Sequence, residues 1–182
     1  MHGPGSAAWL LVALCAATGA YCLLRMRSGV EEQRRTAGSE ALMGFGMALM
    51  AIPAAVITPP RAAWALYAVV FGAAALRALW ASRSSAHHLH HLMGTFAMAY
   101  MAVGMAAAPS GHAGHGGVGA PLVTGLLLLY FAGYVLRSGA RLVPVATAGN
   151  GPPVSGWGDR PELARACRLS MGIGMVAMLL TM

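Results

Sequence analysis

Methionine has the most distinctive placement of any chemically active residue type in this sequence. All thirteen methionines except Met1 and Met26 lie in three of six apolar segments, mostly three or four residues apart, which puts those of each segment on one helical face. Thioether sulfur is a soft, neutral ligand that favours Cu(I) over Zn²⁺, Mg²⁺ or Ca²⁺. The pattern therefore predicts helix faces that bind a soft monovalent ion. The predicted ligands are Met43, Met47 and Met50 of the second segment, Met98, Met101 and Met105 of the fourth, and Met171, Met175 and Met178 of the sixth.

Histidine supplies a second group of predicted metal ligands. Four of the seven histidines fall in the run HHLHH from His87 to His91, at the beginning of the fourth segment. His87 and His91 can chelate one ion from a single helical face, while His90 borders the methionine face. The alternative for this run is an interfacial polar cluster. His112 and His115 lie in a glycine-rich connector, where they either capture metal outside the cell or are stray loop residues.

One carboxylate and one thiol complete the predicted site. Glu40 precedes Met43 by one helical turn; its carboxylate either offsets the charge of a bound cation or begins a helix, where the helix dipole favours it. Cys167 precedes the methionines of the sixth segment by one turn and is either a thiolate ligand or a small buried residue. Cys15 and Cys22 share a helical face without another ligand type nearby, so we assign them to packing and expect no disulfide.

The segments that carry these residues are long and apolar. With 58% hydrophobic and 9% charged residues, the chain is too apolar for an ordinary soluble domain, and it lacks the basic stripe with interleaved aromatics that would indicate a nucleic acid partner. A lipid bilayer requires helices of about 17 to 25 apolar residues. We therefore predict an all-α polytopic membrane bundle of about six transmembrane helices, in a single domain over 1–182. The approximate spans are 6–24, 40–57, 62–80, 87–108, 121–136 and 164–182.

The basic residues predict an orientation for this bundle. All twelve are arginine, and when the connectors are assigned alternately to two sides, every arginine except Arg61 falls on the same side. Because basic loops stay in the cytoplasm, both termini are predicted to lie outside. Arg25 and Arg27 follow the first segment and nothing basic precedes it, so we expect a retained helix rather than a cleaved signal. The exclusive use of arginine, with much alanine and glycine, is typical of a GC-rich bacterial genome and indicates a bacterial cell membrane.

Three motifs of this sequence occur together in one known family. They are Glu40-x-x-Met43-Gly44, the run His87-His88-Leu89-His90-His91-Leu92-Met93-Gly94 with Met98 and Met101, and the Met171, Met175 and Met178 of the last helix. The combination resembles an actinobacterial family of small integral membrane proteins catalogued as domain of unknown function 5134. The resemblance covers most of the chain and implies a multi-span membrane protein with Met- and His-rich helices. It implies no particular activity.

The leading functional hypothesis is a membrane protein that moves Cu(I) across the bilayer, or holds it for delivery to an extracytoplasmic cuproprotein. Flexible packing is the usual role of a buried methionine, but it does not explain why three segments carry methionine faces and three do not. One alternative is an accessory or structural subunit whose methionine faces meet a partner helix of a larger membrane complex; a homo-oligomer is a further arrangement. Another is a haem-binding electron-transfer protein with one histidine and one methionine as axial ligands. No nucleophile elbow, phosphate-binding loop or intramembrane carboxylate pair in the sequence indicates an enzyme.

Overall fold

The computed structural model describes residues 4–29, 31–54, 56–82, 87–107, 120–147 and 160–181. Six α-helices and no strand lie in these ranges, which confirms the predicted all-α class. In chain order the helices are α1 (Pro4–Arg25), α2 (Glu31–Met50), α3 (Arg61–Ser82), α4 (His87–Ala107), α5 (Pro121–Thr147) and α6 (Pro161–Leu180). The fifth helix continues to Thr147, past the predicted end of its span at 136.

Four of the six helices that the structure describes are long and apolar enough to cross a membrane. Their qualifying stretches are Gly5–Arg25 in α1, Arg61–Trp80 in α3, Pro121–Arg141 in α5 and Glu162–Leu180 in α6. Large apolar side chains on them, such as Leu66 and Val69 of α3, are exposed, as expected for helices surrounded by lipid. The chain is therefore a membrane protein. Crossing of the membrane by α2 and α4, and the outside location of both termini, stay predictions.

The second helix differs from its predicted span at both ends. It begins at Glu31 instead of Glu40 and ends at Met50 instead of Ile57. Pro53 explains the early end, because proline lacks an N–H group and disfavours helical backbone in the residue before it. Since Glu40 lies inside the helix, the interpretation of Glu40 as a helix-start residue favoured by the dipole is wrong.

The described residues form two compact units. Unit 1 comprises Met1–Ala51 and Leu129–Val176, and therefore contains α1, α2, the second part of α5 and most of α6. Unit 2 comprises Ile52–Leu128 and Ala177–Met182, and contains α3, α4 and the first part of α5. Within unit 1, α1 packs against α2; within unit 2, α3 packs against α4. The organisation as one domain stays a prediction.

In unit 1, α1 and α2 run antiparallel with their backbones in close contact. A Cβ atom added to Gly44 of α2 would lie 2.8 Å from the Cα atom of Gly19 in α1. One to two turns further along α1, Arg25 reaches back to Glu40, which precedes Gly44 in α2. Small residues allow transmembrane helices to approach in this way. The close contact of Gly19 with Gly44 thus brings the polar and sulfur side chains of α1 and α2 next to each other.

The sixth helix runs parallel to α2 within unit 1. Arg168, near the beginning of α6, contacts Glu40, and Gly174, later in α6, lies against Met47, which is later in α2. Corresponding ends of α2 and α6 therefore lie at the same end of unit 1. Glu40 and Cys167, the neighbour of Arg168 in the chain, lie toward the same end of this unit.

Aromatic and hydroxyl side chains contribute to the packing of unit 2. Tyr67 and Phe71 of α3 stack with their ring centroids 4.5 Å apart, and Trp64 meets the edge of Tyr67. Between α4 and α5, the hydroxyl oxygens of Tyr100 and Thr124 are hydrogen-bonded at 3.0 Å. This bond fixes the first turn of α5 beside α4.

Candidate functional site

The predicted methionine ligands of α2 and α6 are mostly buried in unit 1. Met43, Met47, Met171 and Met175 have 2%, 0%, 3% and 1% of their surface exposed. Met50, at the end of α2, is half-buried. Sulfur faces from two helices therefore point into the protein rather than into lipid, which is a condition for a metal site inside this unit.

The methionines of α4 lie in the other unit. Met98 and Met101 are buried, whereas Met105 is exposed. Met178, on the part of α6 that belongs to unit 2, is buried as well. The predicted faces are thus distributed over both units, and a site that combines sulfur atoms from all three helices stays a prediction.

The structure describes the predicted histidine ligands only in part. His90 and His91 are half-buried near the beginning of α4, with their ring centroids 6.4 Å apart. His87 is the first residue of α4, but its side chain lies outside the described part of the chain, as do His112 and His115. Among the described residues, no three or more His, Cys, Asp or Glu side chains are grouped to hold a metal ion.

Two sulfur atoms from different helices meet beside Gly174 of α6. A Cβ atom added to this glycine would lie 3.4 Å from Cys15 Sγ of α1, 3.6 Å from Met47 Sδ of α2 and 3.7 Å from Leu11 Cδ1. Cys15 and Met47 are both buried. Because glycine has no side chain, both sulfur atoms can lie within 4 Å of this one position. A thiol and a thioether facing one position can chelate a soft ion.

The assignment of Cys15 to packing agrees with its burial, but it did not place Cys15 beside a sulfur atom of α2. Cys15 shares a face of α1 with Cys22 and with Gly19, which is one turn after Cys15 and packs against α2. A small residue one turn away on the same face is the signal that could have placed Cys15 at a helix interface. The sequence does not indicate which sulfur lies on the facing helix.

A second cluster of unit 1 is built around Glu40, which is only 1% exposed. Its Oε2 atom accepts a hydrogen bond from Arg25 Nη1 and one from the thiol of Cys22 at 3.8 Å. Its Oε1 atom accepts a hydrogen bond from Arg168 Nε at 2.8 Å. A single carboxylate thus joins α1, α2 and α6. Both of its oxygen atoms accept hydrogen bonds from arginines, and a role of Glu40 beside a metal ion stays a prediction.

The sequence alone does not indicate that Arg25 and Arg168 are the ion-pair partners of Glu40. Arg25 and Arg168 were counted among the basic residues of the connectors, yet Arg25 is fully buried and the side chain of Arg168 is 33% exposed. Arg25 is the last residue of the apolar stretch of α1, and Arg168 lies in the second turn of the apolar stretch of α6. Cys167, the remaining predicted ligand, is half-buried beside Arg168, and all three cysteines are free thiols as expected.

These observations define a helical membrane protein with two polar features in one unit, a sulfur pair and a carboxylate with two arginines. The family described as "Domain of unknown function (DUF5134)" matches residues 32–182 of this chain. The chain belongs to that family, as the motifs around Glu40, His87 and Met171 predicted. No curated protein and no solved structure matches it.

Proposed function

We propose that this membrane protein binds Cu(I) inside unit 1, with Cys15 and Met47 as its first ligands. The proposal rests on the observation that Cys15 Sγ and Met47 Sδ both lie beside Gly174, which has no side chain. Both ligands are soft, both are buried, and they come from different helices of the same unit. Cu(I) is the common biological ion that prefers thiolate and thioether donors in low coordination numbers.

Charge also favours this ligand pair. A metal-binding cysteine loses its proton when the ion binds, and a Cu(I)–thiolate unit has no net charge. Burial of an isolated cation inside a membrane protein costs much free energy. Burial of the neutral Cu(I)–thiolate unit costs less, because only its polar copper–sulfur bond is removed from water. Met47 adds a neutral donor that does not depend on pH.

The other buried methionines of unit 1 provide further sulfur donors. Met43 lies one turn before Met47 on α2, and Met171 and Met175 lie on the helix that carries Gly174. We propose that they exchange the ion with the primary pair, which would let it travel along α2 and α6. Transport across a bacterial membrane, or delivery to an extracytoplasmic cuproprotein, is the function that such exchange would serve.

Copper loading of the full-length protein in detergent tests the proposal. The protein is incubated anaerobically with an acetonitrile complex of Cu(I), and bound copper is measured by mass spectrometry after gel filtration. Competition with a chromophoric Cu(I) chelator gives the affinity. We expect retained copper in the wild type and an affinity at least about tenfold lower, or about 1.4 kcal/mol, in Cys15→Ala and in Met47→Leu.

Gly174→Ala is the most selective variant for this site. The added methyl group would lie at ordinary van der Waals distance from its neighbours, so the helix packing can accept it, but it occupies the position that both sulfur atoms face. We expect a folded protein with weakened copper binding. Gly133→Ala, where an added Cβ has no neighbour within 4 Å, is the matched control.

Three results would count against the proposal: a wild type that retains no copper, wild-type affinity in folded Cys15→Ala and Met47→Leu, or equal weakening by Gly133→Ala. Met26→Leu, which removes an exposed thioether of unit 1, shows whether any lost methionine has the same effect. A haem absorption band in the same preparation would support the electron-transfer alternative. A stoichiometric copurifying protein, without metal, would support the accessory-subunit alternative.

A further inference from the structure

Arg25 is the last residue of α1, and its guanidinium group has only one of its edges occupied. The side chain is fully buried. Its Nη1 atom donates to Glu40, whereas Nε and Nη2 are buried and meet no hydrogen-bond acceptor among the residues that the structure describes. Nε and Nη2 form the edge of arginine that binds two oxygen atoms of one oxyanion through parallel hydrogen bonds.

Glu40 cannot satisfy this edge. Its Oε2 atom already accepts from Arg25 Nη1 and from the thiol of Cys22, and its Oε1 atom accepts from Arg168. In the ion pairs that the described residues form here, two guanidinium groups therefore share one carboxylate, which leaves one positive charge in excess. Buried charged donors without an acceptor are costly. An anion at the free edge would remove both the unmet hydrogen bonds and the excess charge.

The position of the cluster indicates which anion is available. Arg25 ends the apolar stretch Gly5–Arg25, and Arg168 lies in the second turn of the stretch Glu162–Leu180. The ends of membrane spans lie at the level of the lipid headgroups, where basic pockets between helices bind phosphate-containing lipids. Phosphate is thus the oxyanion available at this level of a membrane.

We infer that the Nε–Nη2 edge of Arg25 binds a phosphate group, with Arg168 as a second cationic contact. Arg168 is the partly exposed arginine of the cluster, so the group enters from its side and displaces the side chains that now cover the edge. The phosphodiester of an anionic phospholipid and free inorganic phosphate both present two oxygen atoms of the required geometry. The inference is independent of the copper site, because it uses none of the ligands at Gly174.

Thermal unfolding of the full-length, delipidated protein tests the inference. The Tm is measured against sodium phosphate, with sodium chloride at equal ionic strength as its reference. It is also measured in mixed micelles containing phosphatidylglycerol, with diacylglycerol, which lacks the phosphate, as the reference. A saturable rise in Tm with phosphatidylglycerol alone identifies the lipid as the source. A rise with both phosphate probes identifies the phosphate group itself as sufficient.

Arg25→Lys distinguishes this edge from general positive charge. Lysine keeps the charge beside Glu40 but has no two-nitrogen edge, so we expect the apparent Kd of the stabilising probe to rise at least about tenfold. Arg27→Lys, two residues later and exposed, is the matched control and should leave the Kd unchanged.

Two results would overturn the inference. One is that Arg25→Lys and Arg27→Lys weaken binding of the phosphate probe equally, or that neither variant weakens it. The other result concerns the wild type alone, so it can be obtained even if Arg25→Lys does not fold. It is a Tm that rises no more with phosphate than with chloride, and no more with phosphatidylglycerol than with diacylglycerol.

Discussion

Replacement of Gly44 by alanine should force α1 and α2 apart. A Cβ atom at this position would lie 2.8 Å from Gly19 Cα, 2.9 Å from Gly19 N and 3.2 Å from Cys15 O. All three neighbours are backbone atoms of α1, so no side chain can turn away to make room. Non-bonded carbon atoms rest at about 3.5 to 4.0 Å. The two helices must therefore separate by about 1 Å near the glycine pair.

The cost follows from that separation. Overpacking of a tight interface costs about 1 to 3 kcal/mol, and a gap of about 0.5 to 1 Å loses a quarter to a half of the dispersion attraction of the atoms involved. Alanine recovers up to about 1 kcal/mol through its better helix propensity. We expect Gly44→Ala to lower the free energy of unfolding by about 1 to 2 kcal/mol. Gly19→Ala should cost less, because its new Cβ meets the ring of Phe45, which can shift.

Reversible unfolding by SDS in mixed micelles, followed by tryptophan fluorescence, measures these differences. Gly133→Ala, whose added Cβ meets nothing within 4 Å, should be neutral or slightly stabilising. The expected order of stability is Gly133→Ala, then Gly19→Ala, then Gly44→Ala. A Gly44→Ala protein as stable as Gly133→Ala would refute the close contact of α1 with α2 on which both proposed sites depend.

Two further predictions use the same unfolding measurement. Glu40→Gln removes the carboxylate that pairs with two arginines and should cost about 3 to 5 kcal/mol. Glu31→Gln removes an exposed pair with Arg34 and should cost less than about 1 kcal/mol. Similar losses in both variants would contradict the buried ion pairs. Tyr100→Phe removes the hydrogen bonds of the Tyr100 hydroxyl to Thr124 Oγ1 and to the Ala120 carbonyl oxygen. At about 0.6 kcal/mol for each such bond between membrane helices, the loss should be about 1.2 kcal/mol. A loss above about 2 kcal/mol would mean that the Tyr100 hydroxyl makes a larger contribution than these two bonds.

The bounds of a helix could be predicted from the sequence where the helix and its apolar segment have the same ends. The spans of α1 and α3 could be predicted closely, because their apolar residues extend nearly to the helix ends. The predicted bounds of α4 are close as well, although that helix begins with the polar run HHLHH. The beginning of α2 could not, because Glu31 and its neighbours are charged while being good helix formers, and Arg34 pairs with Glu31 one turn away. Hydropathy reports contact with lipid, and it does not report where backbone hydrogen bonding begins.

Among the residues of the candidate sites, only some of those on α2 and α6 could be predicted from the sequence. Helical periodicity identified the buried faces of α2 and α6, because Met47 and Met175 recur with the helical turn. The facing residues of α1, Cys15 and Arg25, were not identified, because a contact between helices depends on their rotation and depth. The close approach of Gly19 to Gly44 sets both quantities, and it becomes visible only when the two helices are placed together.

The arginine cluster also limits the chemical form of a copper site in the same unit. Glu40 and Met47 are seven residues apart on α2, which corresponds to about 10 Å along a helix. At that distance, and with an effective dielectric constant of about 20, the excess positive charge of the cluster would repel a bare cation by about 2 kcal/mol. A Cu(I) ion paired with the Cys15 thiolate has no net charge and avoids this repulsion. The thiolate is therefore what makes a copper site beside two arginines electrostatically acceptable, and Met47 alone would not suffice.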